Sequence, residues 1–292
     1  MVELEVLEAL DGLQWLGVGE EVSKKLGISQ PTVSRWSSKA LCVFNVSMER
    51  QNGEWEIIGD QTFLRLEREV HQQARWLGHR PLRLEATYWS APTLCQSLPA
   101  NWILGRSNIV GVKRNFQLIQ ERIVDAWLTG LPDLPTANEP ELAAIVMSEM
   151  PVFYTCAPDH PLLEKKELTV EDIAQFPSLA LPKGCYPKVE AALKQLGLWN
   201  DGSRMTRYRR DRWEGRTEEE LTIGYGTPLS MAVSGGSLCR LPLLLPFRSG
   251  EALVTRRDFL SHALLLELLE TLQANLVQLA SSHPEIEILI EQ

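Results

Sequence analysis

Gln30, Pro31, Thr32, Ser34, Arg35 and Lys39 lie within ten residues and supply the small side chains and donors that contact with a DNA duplex requires. Arg and Gln present paired polar groups to base edges, Ser and Thr bond bases or phosphates, and Lys brings a point charge to a phosphate. At 100° per residue, Val33, Trp36 and Ala40 share one side of a helix. Pro31, Arg35 and Ser38 lie opposite, flanked by Ser34 and Lys39. The apolar side is the one to bury, and the free side is small, polar and basic. Such a helix fits the roughly 12 Å wide major groove. The same spacing also suits a surface helical hairpin that binds nothing.

No other group of residues forms a reacting constellation. Asp159-His160-Pro161 has the composition of a turn, and adjacency in sequence does not create a proton relay. There is no Gly-x-Ser-x-Gly elbow, Walker loop or carboxylate cluster, and Gly17-Val-Gly19 follows a helical stretch rather than a strand. The five cysteines, Cys42, Cys95, Cys156, Cys185 and Cys239, are far apart. With no Cys-x-x-Cys and no His at ligand spacing, neither a zinc site nor a disulfide framework is expected. Catalytic residues, metal and cofactor are all expected to be absent, and an enzyme is the poorest reading.

The elements that must position the polar helix are legible. Val22 and Leu26 share a face, Gly27 suits a helix C-terminus, Ser29 is placed to cap, and Pro31 falls in the next first turn. The second helix therefore starts at about Gln30. The string Leu26-Gly-Ile-Ser-Gln-Pro-Thr-Val-Ser-Arg35 resembles the helix-turn-helix of LysR-type transcriptional regulators, and the order of parts from about residue 2 to 275 follows that family. The resemblance implies an α/β chain in three parts: a winged helix-turn-helix over 1–59, a dimerising linker helix over 60–79, and a two-lobed effector-binding domain of periplasmic-binding-protein type over 80–292. Its first lobe would hold about 80–155 and 228–292, and its second about 156–227.

Residues 2–13 carry Val6, Leu10 and Leu13, with Leu4 and Leu7 beside them, which predicts a helix behind the helix-turn-helix. Two strands around Asn52-Gly53, within 42–58, would form the wing. Here the chain departs from the family: Lys39-Ala-Leu-Cys-Val-Phe44 and then Asn45 replace the usual Leu-Glu, Gly, Leu-Phe and Arg. Wing contacts to DNA are therefore not carried over, and a domain of the same fold that has lost operator binding is the alternative. Asp60 can cap a helix to about Leu77 in which Phe63, Leu66, Val70, Gln73 and Leu77 recur at three and four. That seam suits a dimer or a helix packed on its own domain; its place in the chain favours the dimer. Gly78 and Pro81 end it.

From Leu82 short strands and helices alternate, with strands expected at 82–87, 108–113 and 133–138 and helices at 90–97 and 115–129. Met150–Leu162 and Leu168–Pro177 resemble the family's crossing into the second lobe. That lobe continues through a strand at 178–181, a helix at 187–196 and the basic run Arg204–Trp213, which reads as a solvated or subunit-facing segment partly neutralised by Asp211 and Glu214. Thr222–Ser230 resembles the return to the first lobe. Leu264, Leu268, Leu272 and Leu276 form one row of a last helix. Ligands of open α/β sheets sit beyond the carboxyl ends of strands. Thr87, Tyr88, Ser90, Thr136, Asn138, Lys183, Cys185 and Thr227 are thus expected to converge on an effector. With Ser90 near a helix start and Lys183 opposite, a small carboxylate or phosphorylated metabolite is the chemistry expected. Tyr88 and Trp89 filling the cleft is the alternative.

The net charge of −9 over 292 residues is awkward for a DNA binder, so its distribution matters. Between Lys24 and Arg50, Lys24, Lys25, Arg35, Lys39 and Arg50 face the single acid Glu49. The acidic start lacks a secretory signal pattern, and the Leu-rich 260–280 segment is broken by Glu267, Glu270 and Gln273, so a cytoplasmic chain with no membrane partner is expected. Double-stranded DNA, a small-molecule effector and further copies of itself, as dimer or tetramer, are the expected partners.

Overall fold

The structure is a computed structural model that describes residues 2–178, 181–199, 205–213, 216–217 and 221–289. Three helices open it: α1 (Leu4–Leu16), α2 (Gly19–Leu26) and α3 (Gln30–Phe44). Gly27 closes α2 at φ 65°, and the Ser29 hydroxyl accepts the Thr32 amide at 3.3 Å. The helix-turn-helix therefore starts and stops where local chemistry directs. Strands β1 (Ser47–Gln51) and β2 (Glu54–Ile58) pair antiparallel around Asn52 and Gly53, both at positive φ, as the tight hairpin turn requires. Residues 42–44, expected in the wing, instead extend α3, which ends at Asn45 in the left-handed region.

Helix α4 (Thr62–Trp76) starts where the Asp60 carboxylate accepts the Thr62 amide at 2.9 Å. Its two faces differ sharply. Leu64, Arg68, His71, Gln72, Arg75 and Trp76 are buried, while Phe63, Leu66, Val70 and Leu77 are exposed. The buried face is packed on its own chain through ion pairs, with Arg68 on Asp11 at 2.9 Å and Arg75 on Asp125 at 2.7 Å. Among the described residues, none covers the apolar seam.

Beyond it lie β3 (Leu82–Ala86), α5 (Ser90–Leu94), β4 (Trp102–Leu104), α6 (Val112–Gln120), β5 (Ala126–Gly130), β6 (Leu142–Val146) and β7 (Ser148–Cys156). They are followed by α7 (Val170–Ile173), α8 (Pro187–Gln195), β8 (Gly224–Gly226), α9 (Pro228–Ser234), β9 (Cys239–Ser249), β10 (Glu251–Arg256), α10 (Ala263–Ala280) and β11 (Glu287–Ile288). The first sheet runs β4-β3-β5-β10-β6, parallel among β4, β3 and β5, with β10 antiparallel between β5 and β6. The second is antiparallel around β7, which pairs β8, β9 and β11. The chain returns to the first lobe at α9, where Leu229 joins its core, and rejoins the first sheet itself at Glu251.

Three expected elements are corrected. In place of a strand at 108–113, Ile109 makes an isolated bridge to Arg207 and α6 already starts at Val112, and the helix at 115–129 stops at Gln120. Arg122 takes φ 61°, which a continuing helix does not allow, and the strand that follows is β5, buried from Ala126 to Thr129. Residues 133–138 form a loop after β5 rather than a strand. Residues 179–180 of the expected strand, Arg204 and Glu214 lie outside the described residues.

One core lies between the first sheet and α10, where Leu265, Leu268, Leu272 and Leu276 are buried with Leu82, Leu84 and Leu253. Leu265 rather than Leu264 completes the buried row. By length and composition α10 is apolar enough to cross a membrane, but this row packs it into the core. On the opposite face of the sheet, Trp15, Leu16, Val22 and Val33 of the opening helices share a single cluster with Ile109, Phe116, Trp127 and Val254. The helix-turn-helix is therefore packed against the first lobe.

Candidate nucleic-acid interface and ligand cleft

On α3, Val33 and Ala40 are buried and Gln30, Pro31, Ser34, Arg35 and Lys39 are exposed. Thr32 is half-buried, its hydroxyl 2.9 Å from that of Ser29 and 3.5 Å from Arg35 Nη2. Lys39 is 3.5 Å from Glu3 in an exposed pair, which screening makes weak. The outward face thus carries an arginine, a glutamine and a lysine with only one acid in contact.

Of the wing acids, Glu49 on β1 is exposed, while the two on β2 are drawn inward. Glu54 and Glu56 alternate on one side of β2, and both reach inward. Arg207 clamps Glu54 with Nε at 2.7 Å and Nη2 at 2.5 Å, and Arg114 holds Glu56 at 3.0 Å. The Arg207 guanidinium also donates to the Trp15 carbonyl at 3.1 Å and to Asn108 Oδ1 at 3.3 Å. The basic run expected to be solvated thus divides: Arg207 ties the effector half to the wing, while Arg209 pairs with Asp211 in solvent at 2.8 Å.

The cleft between the lobes contains a cavity of about 130 Å³. Thr87, Tyr88 and Thr227 line it, as do Trp89, Ser107, Asn108, Tyr186 and Phe247. Tyr88 and Trp89 form wall rather than filling: the Tyr88 ring stacks on Tyr208 from the opposite lobe, 3.7 Å apart and 4° from parallel. Sequence spacing did not point to Ser107, Tyr186, Tyr208 or Phe247, because the loops that bring them together are irregular. The aromatic residues crowded near strand ends were the available signal.

Other expected cleft residues lie elsewhere. Ser90 is buried behind the wall, where its hydroxyl donates to Glu251 at 2.6 Å and lies 2.5 Å from that of Thr87. Thr136 and Asn138 are exposed in the loop past β5, and the Thr136 hydroxyl is spent on Glu139 at 2.9 Å. The strand that feeds the cleft is β5, six to eight residues earlier at its end. Lys183 is exposed and does not line the cavity. Cys185 packs on Gly111, which takes φ 89° and has no room for a Cβ, since one would stand 2.8 Å from Cys185 Cα. The anion expected from Ser90 and Lys183 therefore lacks its counter-charge.

Two buried carboxyls flank this region. Glu251 accepts from Ser90 and, at 2.9 Å, from Trp89 Nε1; burial nevertheless pushes it up to about 8. Burial also raises Glu85 to about 7, opposed by a 2.6 Å hydrogen bond from Trp15 Nε1. Among the described residues, no group of three or more His, Cys, Asp or Glu is placed to hold a metal ion.

These parts define a winged helix-turn-helix joined through a helix to a two-lobed α/β domain of periplasmic-binding-protein type. Residues 110–206 match the family described as the LysR substrate binding domain. The chain aligns with a full-length OxyR variant from Pseudomonas aeruginosa at 16% identity and TM-score 0.55, covering 94% of this chain and 98% of that one. Full-length BenM, as a point mutant, aligns at 16% identity and TM-score 0.53, with 100% of both chains covered. Full-length CbnR in complex with its target DNA aligns at 13% and TM-score 0.54, covering 94% and 99%. No curated protein sequence matches the chain. The chain has the fold of full-length LysR-type proteins, and its residues 110–206 are similar to that family's substrate binding domain.

Proposed function

We propose that this protein is a DNA-binding transcriptional regulator of the LysR type, acting in the cytosol and responding to a small molecule held between its lobes. Its role is regulatory rather than enzymatic. The observation that carries this reading is the electrostatic arrangement of the winged helix-turn-helix. The outward face of α3 offers Gln30, Ser34, Arg35 and Lys39, while Glu54 and Glu56 are neutralised from behind by Arg207 and Arg114. A chain of net charge −9 can thereby present a locally basic surface to phosphates. CbnR, of the same fold, is complexed with target DNA, which supports the reading.

In this reading α3 enters the major groove, with Arg35, Gln30 and Thr32 at base edges, Lys39 on phosphate, and Pro31 and Ser34 allowing close approach. Phe63, Leu66, Val70 and Leu77 join two protomers, setting the separation of paired recognition helices. Ligand in the cleft acts on that arrangement through the segment containing Met205 and Tyr208, which line the cavity, and Arg207 between them, which grips the wing. The test is binding to the duplex upstream of its own gene across a salt series. A preference over unrelated duplex, with affinity falling steeply as salt rises, is expected. Equal, weak binding of every duplex would instead support an interaction protein with a degenerate helix-turn-helix.

A further inference from the structure

The chemistry of the cleft deepens this reading and rests on it. We propose that the molecule held between the lobes is an uncharged, single-ring aromatic compound carrying a hydroxyl or a similar hydrogen-bonding group. Tyr88, Trp89, Tyr186, Trp213, Tyr225 and Phe247 form much of the wall. Among the described residues that line it, none is Asp, Glu, Lys, Arg or His. An ion entering this space would surrender its hydration and meet no counter-charge among the described lining residues, and such groups neutralise before they are buried. Two carboxyls behind the wall are already hydrogen-bonded, Glu251 by Trp89 and Ser90, and Glu85 by Trp15.

Shape and polarity narrow the class. A cavity of about 150 Å³ lined by apolar side chains holds benzene, so the roughly 130 Å³ here suits one ring. The stacked Tyr88 and Tyr208 place a π face from each lobe at the cavity, and aromatic rings favour further ring-to-ring packing. One polar atom is left over. Ser107 lines the cavity, is 7% exposed, and has a buried hydroxyl oxygen with no hydrogen-bond partner among the described residues. A buried polar group without a partner is costly, and a hydroxyl on the ligand would satisfy it.

The test is calorimetric titration of the full chain, with ligand-observed NMR, using phenol, benzene, benzoate and phenyltrimethylammonium. Phenol is expected to bind about tenfold or more tighter than either ion. Ser107→Ala should weaken phenol by about three- to tenfold and leave benzene unchanged, the effect of one lost hydrogen bond. Val189→Trp, which fills the cavity, should abolish binding. Benzoate or the cation binding more tightly than phenol, with loss in Val189→Trp, overturns the uncharged class while keeping the cleft as the ligand site. Binding of no probe, or binding indifferent to Val189→Trp, overturns the cleft as a ligand site and this inference with it. Should Val189→Trp fold poorly, nuclear Overhauser contacts from phenol to the Tyr88 and Phe247 rings decide in its place.

Discussion

Replacing Leu66 and Val70 together by Asp should dissociate the protein without unfolding it. In the single chain Leu66 is 58% exposed and Val70 54%, so neither contributes much to the fold of the protomer. Docking two protomers through this seam recovers about half of the roughly 1.5–3 kcal/mol that full burial of a large aliphatic side chain contributes. Two residues from each protomer then account for about 3–6 kcal/mol, before repulsion among the introduced carboxylates is added. At about 1.4 kcal/mol per decade, the dimer Kd should rise by roughly two to four orders of magnitude. The protomer's own melting should barely move, because exposed substitutions usually stay within about 0.5 kcal/mol. Sedimentation velocity over a concentration series, beside thermal melts, measures both quantities. A double variant that keeps the parent's mass refutes the seam as an interface. Loss of mass accompanied by a large fall in melting temperature would show that these residues hold the protomer itself.

Three further outcomes are expected. Arg35→Ala should cost about 1–3 kcal/mol at the preferred duplex and relax preference at one position, whereas Lys39→Ala should weaken all sequences alike, as competition binding would show. Arg207→Ala leaves Glu54 buried with only a distant Arg114 contact at 3.8 Å, and should destabilise by roughly 2–3 kcal/mol in denaturant unfolding. Arg209→Ala, in an exposed pair, is the control and should cost under about 1 kcal/mol; equal effects would count against the wing clamp. Finally, the folded state raises Glu251 from 4.5 to about 8, so it binds that proton more tightly than the unfolded chain does. The resulting stability is fully present below about pH 4.5 and is lost as pH rises towards 8. Melting temperature should therefore fall from pH 5 to 8, and Glu251→Gln should flatten that slope. A slope unchanged in the variant would assign it to another group.

The sequence by itself determined the elements whose signals are local. Gly27, Ser29 and Pro31 mark a helix end and start through backbone conformation and one capping bond, so α2 and α3 lie where residue chemistry puts them. Asn52-Gly53 fixes the wing turn for the same reason, and the 63-66-70-77 spacing predicts a seam that the structure leaves uncovered. What only the tertiary structure decided is the destination of the other faces. β3 reads Leu82-Arg-Leu-Glu-Ala86, an alternation that suggests one solvated side, yet Arg83 is 2% and Glu85 1% exposed because α1 packs there and brings Asp11 and Trp15. The buried face of α4 is polar for the same reason. The cleft residues were the least legible, since Ser107, Tyr186, Tyr208 and Phe247 meet only after both sheets have formed. Periodicity records which side of an element is apolar; it holds no record of what a distant segment will lay against the other side, and charged residues can be buried wherever that segment supplies their partners.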